Sequence, residues 1–319
     1  GGLLPCALRA DRLSPLMDVD EVLCIEDEPI YSPNFYIHWA ALCAARERGV
    51  RVLLDGIGGD EVVSHGTELL GHLLRTGRWL RLLSEARALA GRHERISPPQ
   101  VLWRLLVRPA IPVAAHLGHN LLRGRPRFAG LDDPVIRREF ARRVGIPLRP
   151  GGARVDALLP PRLRQLRELD SGLFPYVLEL ANKAAAARGV ELRYPFLDRR
   201  LMEFCLAVPV ERRHRAGWNR YPLRLAMDGL LPHAVQWRAG KANLAPNFFR
   251  QLLRREHATI EKVIHRDAEL IAPYVDLGRL RAAHRRYVER PFGRDGCAQE
   301  AIYATVMLAL WLRRSGISP

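Results

Sequence analysis

The chain reads as an α/β protein in which a small parallel sheet carries the chemistry and a large helical portion packs beside it. Three observations predict this. "VRVLLDG" (50–56) is β-branched and leucine-rich without polar alternation, as expected of a strand covered on both faces. "SPNFYIHWAALCAARERG" (32–49) before it spaces apolar residues helically and places Gly49 as a C-terminal stop. Beyond Gly66, leucine-rich and arginine-rich faces alternate through long helical stretches. With 319 residues, 48% of them hydrophobic, the chain can bury a large core as one big domain or two intimate ones.

Taken in order, "DVDEVLCIEDEP" from Asp18 is a short apolar strand candidate entering an acidic loop that Pro29 closes. Strand, helix, strand then makes a right-handed parallel crossover the economical topology for residues 18–56. The turn "DGIGGDEVVSHG" thus falls at a strand's carboxyl end, where open α/β sheets bind ligands. "TELLGHLLRTGRWLRLLSEARALAGRHE" and "PPQVLWRLLVRPAIPVAAHLGHNLLRG" follow as bundle helices, with proline and glycine marking the breaks. Residues 145–164 are the most linker-like segment and mark a candidate internal break; an ordered loop fits them equally. "AIYATVMLALWL" (301–312) is too short to cross a bilayer and reads as a buried helix stopped by Arg313 and Arg314.

Charge and cysteines exclude several classes. The formal net charge is +16, and arginine outnumbers lysine 47 to 3, the lysines being Lys183, Lys241 and Lys262. That excess fits anionic partners, but an arginine-biased solvated surface fits it as well. The aromatics lie in apolar helical patterns rather than along a basic stripe, so no nucleic-acid partner is expected. Nor is a membrane partner. The five cysteines are scattered without C-x-x-C spacing, which points to a reducing, cytoplasmic setting and away from structural zinc or disulfides. The chain opens "GGLLPCALRADRL", without methionine or signal pattern, so sequence upstream of Gly1 is expected.

Three stretches carry candidate chemistry. The glycine turn is neither a Walker A loop nor a dinucleotide fingerprint, since Glu61 stands where the latter needs its last glycine. Gly56, Gly58 and Gly59 allow close backbone approach to an anion, and Asp60 and Glu61 suit the Mg²⁺ that accompanies phosphate. A structural tight turn accounts for the same residues equally well. In "ANKAAAARGVELRYPFLDRR" (181–200), Gly189 ends an alanine-rich helix; Glu191, Arg193 and Asp198 follow in an extended, proline-containing loop. Structural ion pairing is the favoured reading of those charges. In "VQWRAGKANLAPNFFR" (235–250), Arg238 and Lys241 flank a glycine, and Pro246 breaks the segment. A lysine kept where arginine is the rule suits a compact or titrating ammonium. "HATIEKVIH" sets His257, Glu261 and His265 four residues apart, and a solvated helix face is the expected reading. No G-x-S-x-G elbow occurs, and the adjacent Ser64 and His65 make no nucleophile–base pair.

Together and in this order, these stretches resemble the synthetase domain of the asparagine synthetase family, whose fold is that of PP-loop ATP pyrophosphatases. "VLLDGIGGDE" is similar to the family's strand and S-G-x-G-x-D-E, with Asp55 in the serine's place. "ANKAAAARGVELRYPFLD" matches N-K-A-x-x-x-x-G-V-E-x-R-x-P-F-L-D, the most specific of the three, and "YPLRLAMDGLLPHAVQWRAGK" resembles the block ending in a catalytic lysine. The resemblance implies that ATP and Mg²⁺ adenylate a side-chain carboxylate, which an amine then converts to an amide. It implies Asp55 and Gly56 at AMP, Asp60 on Mg²⁺, Lys241 as the catalytic cation, Arg238 at pyrophosphate, and Glu191 anchoring the site or moving a proton.

The departures are also informative. Ile57 stands where asparagine-forming members carry an acid, and "VVSHG" replaces a G-G-Y ending. These resemble the family's lasso-peptide macrolactam synthetases, which implies a precursor peptide as carboxylate-bearing substrate and a leader-peptide-binding or protease partner protein. The family's S-G-G-x-D-S pyrophosphate loop and glutamine-hydrolysing domain are not in these residues, so 1–319 reads as a partial synthetase domain, incomplete at the N-terminus. Three readings remain open: a cyclase, a fragment of glutamine-hydrolysing asparagine synthase, or an inactive relative serving as a scaffold.

Overall fold

The structure is a computed structural model that describes residues 4–63, 66, 68–92, 97–103, 107, 135–145, 159–240, 244–289 and 296–317. In chain order the elements are α1 (Val19–Glu26), α2 (Phe35–Glu47), β1 (Val52–Leu54), α3 (Gly59–Val63), α4 (Glu68–Arg75), α5 (Trp79–Arg92) and α6 (Pro98–Leu102). They continue with α7 (Arg138–Arg143), α8 (Pro161–Leu169), α9 (Leu173–Ala187), β2 (Glu191–Arg193), α10 (Arg199–Ala207) and α11 (Val210–Arg213). The last are α12 (Tyr221–Ala226), α13 (His233–Gln236), α14 (Ala245–Glu261), α15 (Ala268–Ile271), α16 (Leu277–Glu289) and α17 (Gly296–Ser315). Among the described residues the architecture is α/β, mostly helical, around a two-stranded parallel sheet.

Each strand is delivered by the same device. Gly49 and Gly189, at φ +70 and +64, follow the ends of α2 and α9. The amide of Val50 donates to the Ala45 carbonyl and that of Val190 to the Ala185 carbonyl, closing a Schellman cap in both places. Arg-Gly-Val therefore turns helix into strand twice. Val52 then pairs with Glu191 and Leu54 with Arg193.

Two expectations need correction. Residues 19–26 form α1 rather than a strand, because Val22, Leu23 and Glu26 bury one helical face while Asp20 and Glu21 suit its first turn. The parallel partner of β1 is thus β2, and no crossover joins residues 18–25 to it. Nor is β1 covered on both faces: Val52 is 40% and Leu54 67% exposed, while Leu53 and Leu192 face the core. The missing polar alternation reflects apolar residues on the open face, not a second covering layer.

Other expectations hold with small shifts. The helices of 68–92 are present, whereas most of 103–134 and residues 146–158 of the linker-like stretch lie outside the described residues. Leu69, Leu70, Leu73, Leu82, Ala86 and Val101 join Val210 in a helical cluster beside the main core. Helix α17 continues past Arg313, which pairs with Asp267, to Ser315, and buries Ile302, Val306 and Met307. Among the described residues no helix is long and apolar enough to cross a membrane. Pro246 sits in the first turn of α14 and starts it, since its missing N–H costs nothing there.

The C-terminal end of α1 buries a carboxyl group. Glu26 is 2% exposed, neither carboxylate oxygen has a hydrogen-bond partner, and burial pushes its pKa up to about 7 against the opposing pull of Lys183. A folded-state pKa above the unfolded one contributes stability that is present below about pH 4.5 and lost as pH rises through 7. Glu26→Gln, which mimics the protonated form, is expected to be more stable than wild type by about 2 kcal/mol at pH 8 and little changed at pH 4.5. Denaturant unfolding at the two pH values checks this; equal offsets at both would reject it.

Candidate functional site

The turn after β1 opens on a cleft of about 890 Å³. Its lining comes from Asp55, Gly56, Ile57 and Gly58 of the turn, Asp60 and Glu61 of α3, Arg167 and Glu168 of α8, and Leu173, Phe174 and Val177 of α9. Acidic side chains and bare backbone share this lining with the apolar Leu173, Phe174 and Val177. The volume lies toward the upper end of the range for small-molecule sites.

The three glycines of the turn serve different ends. A Cβ on Gly58, at φ +91, would come within 2.5 Å of Leu197 Cδ2, and one on Gly59 within 3.3 Å of the Phe196 ring. Those two glycines let α3 seat against the 3₁₀ turn Pro195–Leu197. Gly56 has ordinary φ and nothing within 4 Å of where a Cβ would stand, so its bare backbone faces open cleft. Tight-turn packing thus accounts for Gly58 and Gly59, and close ligand approach is left to Gly56.

Asp55 is held in place. Its backbone N–H donates to the Arg193 carbonyl at 2.8 Å, extending the ladder past β1, and its Oδ1 accepts the Ile57 N–H at 2.7 Å. Oδ2 lies 3.7 Å from His38 Nδ1 on α2. Burial lowers the His38 pKa and outweighs the raising effect of Asp55, so the ring is neutral at physiological pH; its Nε2 is buried without a hydrogen-bond partner. Tyr194 is pushed up to about 12 by burial and by the Asp55 charge, and its hydroxyl donates to Asn182 Oδ1 at 3.0 Å. Through Tyr194, Asn182 of the second stretch meets the turn of the first.

Asp60 is ion-paired with Arg220, which precedes α12 and itself takes a left-handed φ of 49. Behind α3, the buried Gln165 donates its Nε2 to the Glu61 and Val62 carbonyls at 3.1 and 2.6 Å and accepts from Arg213 at 2.6 Å. Arg213 in turn donates to the Val208 and Leu206 carbonyls after and within α10. This chain fixes the carbonyl end of a five-residue helix that could not hold itself.

The remaining candidates lie elsewhere. Glu191 sits on β2, 2.8 Å from Arg193 Nε, and does not line the cleft, in keeping with the ion-pair reading of that stretch. Asp198 caps α10 by accepting the Arg200 N–H at 2.9 Å, and the Arg200 side chain draws its pKa down to about 2. Arg238 is exposed and donates to the Gly240 carbonyl at 3.1 Å. Its own carbonyl accepts from Arg224, whose guanidinium also binds the Gln236 carbonyl and Asn219 and lies near the Trp218 and Trp237 rings. Arg224 therefore holds the strand of chain that leads toward Lys241. Lys241 itself, and Ser64 and His65, lie outside the described residues.

Sequence reasoning missed His38, Asn182, Gln165, Arg213, Arg220 and Arg224. His38, Gln165, Arg213 and Arg220 belong to ordinary helical or arginine-rich text whose meaning comes from distant partners. Asn182 and Arg224 lie within the second and third motifs, where the signal to single them out was present.

The site residues Asp55, Gly56 and Asp60 do converge on one cleft at the carboxyl end of a parallel strand, where α/β sheets bind ligands. Comparison with known proteins agrees with the motifs. Over 65 residues, 19% of its length, the chain is 40% identical to asparagine synthetase (glutamine-hydrolyzing) of Gallus gallus. That match covers 12% of the chicken protein. No solved structure matches. The asparagine synthase family model matches residues 8–313. By that match, which spans nearly all of its length, the chain belongs to the asparagine synthase family.

Proposed function

We propose that the chain is the synthetase part of an ATP- and Mg²⁺-dependent carbon–nitrogen ligase with a PP-loop-like fold. The observation that carries this reading is the cleft that Asp55, Gly56 and Asp60 share at the end of β1. The donor set fits the groups required: bare backbone at Gly56 suits a nucleotide, and the hard oxygens of Asp60 and Glu61 suit Mg²⁺. Mg²⁺ would neutralise phosphate charge there. Asp55 and Gly56 would hold AMP, and Asp60 the metal.

In this reading the substrate carboxylate attacks the α-phosphorus of ATP and pyrophosphate leaves. The amine nitrogen then attacks the acyl carbon, AMP departs with the C–O electron pair, and the amine loses a proton. Lys241 and Arg238 would stabilise charge growing on the acyl and phosphate oxygens, as preorganised cations do. Glu191, paired with Arg193 on β2, would anchor the active-site loop or move a proton. The Ile57 N–H holds the Asp55 carboxylate in position, with the neutral His38 ring beside it.

Ile57 lines the cleft together with Leu173, Phe174 and Val177. This favours peptide macrolactam formation, in which an Asp or Glu side chain of a precursor peptide joins its N-terminus, with a leader-binding or protease partner and a cytoplasmic setting. Asparagine formation is the second reading, supported by the chicken relative's name. Both share one test. The full-length protein carrying this chain, given ATP, Mg²⁺ and a peptide with a free side-chain carboxylate, is expected to exchange labelled pyrophosphate into ATP. Lys241→Ala should reduce that exchange roughly 100-fold or more. An exchange rate indifferent to Lys241→Ala would sink the ligase reading, and free aspartate supporting exchange in place of the peptide would select asparagine formation.

A further inference from the structure

Helix α14 does not end cleanly. It runs into a π-helical turn over Lys262–Arg266, a geometry frequent at functional sites, and α16 packs against that turn. His257 and Glu261 lie one turn apart on α14, and His284 reaches them from α16. A ligand atom from each of the three lies within 4.8 Å of the others.

Glu261 Oε1 is the shared point. It stands 3.9 Å from His257 Nε2 and 3.5 Å from His284 Nδ1. Ligand atoms about 2.0–2.1 Å from a tetrahedral ion stand about 3.3 Å apart, so each imidazole need move toward Glu261 by less than an ångström, and the two imidazoles, within 4.8 Å of each other, close on the same point. The second carboxylate oxygen, Oε2, is taken by His265 Nε2 at 3.2 Å, which fixes the direction in which Oε1 is presented.

His284 is the group that an ordinary helix face does not explain. It is only 4% exposed, and it turns Nδ1 toward Glu261 while Nε2 is buried without a hydrogen-bond partner. His257 and Glu261, about half exposed, provide the route in from solvent. None of these residues lines the cleft at β1.

We propose that His257, Glu261 and His284 bind a divalent ion that prefers imidazole, Zn²⁺ foremost, and that the ion ties α14 to α16 across the π-helical turn. Two imidazoles and one carboxylate suit Zn²⁺ and its neighbours rather than Mg²⁺, which takes oxygen ligands and keeps its water. The site is therefore chemically separate from a nucleotide–Mg²⁺ cleft and stands whether or not the ligase reading does. His257, Glu261 and His265 do form the solvated helix face that the sequence predicts, at 53, 40 and 52% exposure; the third ligand of the proposed site comes from a helix the motif does not contain.

The test is titration of chelator-stripped full-length protein with ZnCl₂, followed by calorimetry and thermal melting. One ion per chain should bind and raise the Tm. His257→Ala and Glu261→Gln, both at solvent-reached positions that leave the core intact, should each weaken binding at least tenfold, about 1.4 kcal/mol. Co²⁺ in place of Zn²⁺ should give the strong visible absorption of a low-coordinate site, lost in the same variants. Absence of Zn²⁺ binding, or binding unchanged in both variants, overturns the proposal, as does an equal Tm rise with MgCl₂ alone.

Discussion

Asp60→Asn is expected to lower ATP–pyrophosphate exchange by roughly 100-fold or more and to raise the Mg²⁺ concentration that gives half-maximal exchange. The carboxylate lies in the cleft and is ion-paired with Arg220. A guanidinium and a metal ion compete for the same oxygen. Arg220→Ala should therefore shift the Mg²⁺ dependence the opposite way, toward lower concentrations, in the same assay. If the pair is only a tether between α3 and the chain entering α12, both variants will lower thermal stability and leave Mg²⁺ dependence unchanged. That outcome would falsify the metal role of Asp60.

The second large effect concerns folding. Gly217→Ala is expected to cost about 3 kcal/mol, the sum of left-handed strain and overpacking. Gly217 has φ +78, and a Cβ there would stand 2.5 Å from the Ala88 carbonyl on α5. Its N–H donates at 3.2 Å to Glu85, a carboxylate 7% exposed that also accepts from the Ala216 N–H and faces His214. Burial raises the Glu85 pKa, but these partners outweigh it and hold the group below its ordinary value. Shifting the loop to make room would separate that carboxylate from its donors and lift Trp218 from beneath the Arg92 guanidinium, 3.8 Å away. A Tm lower by about 6–10 °C is expected. Gly77→Ala is the control, since Gly77 shares the positive φ, +66, but has nothing within 4 Å. It should cost only about 1 kcal/mol, and equal losses at the two sites would dismiss the close-approach argument.

How much of this was legible in advance depended on the range of the contacts involved. The caps at Gly49 and Gly189 were readable because a helix stop is local chemistry. The short run at 19–26 was misread because eight residues with four apolar positions fit a buried strand or a helix alike, and only burial of Val22, Leu23 and Glu26 on one face distinguishes them. The open face of β1 was hidden for a related reason. Val52 and Leu54 have the composition of a covered face, and exposure is not written in composition.

The candidate site divides along the same line. The glycine turn, its two acids and the order of the three motifs are properties of the linear sequence, and the resemblance to the family rests on them alone. The partners that give those residues their state come from far away: His38 beside Asp55, Arg220 on Asp60, and Arg213 and Gln165 behind α3. His284 completes a cluster whose visible half, at 257–265, looked like plain helix surface.

By itself, then, the sequence determined the glycine stops at 49 and 189, the extended character of 52–54 and the residue types available for nucleotide and metal chemistry. These depend on backbone conformation and side-chain identity within a few positions. Tertiary structure alone decided which strand β1 pairs with, which glycine faces the cleft, which carboxylates are ion-paired and which histidine is buried. Those outcomes depend on which distant groups share a place, and desolvation and Coulomb interaction act through space rather than along the chain.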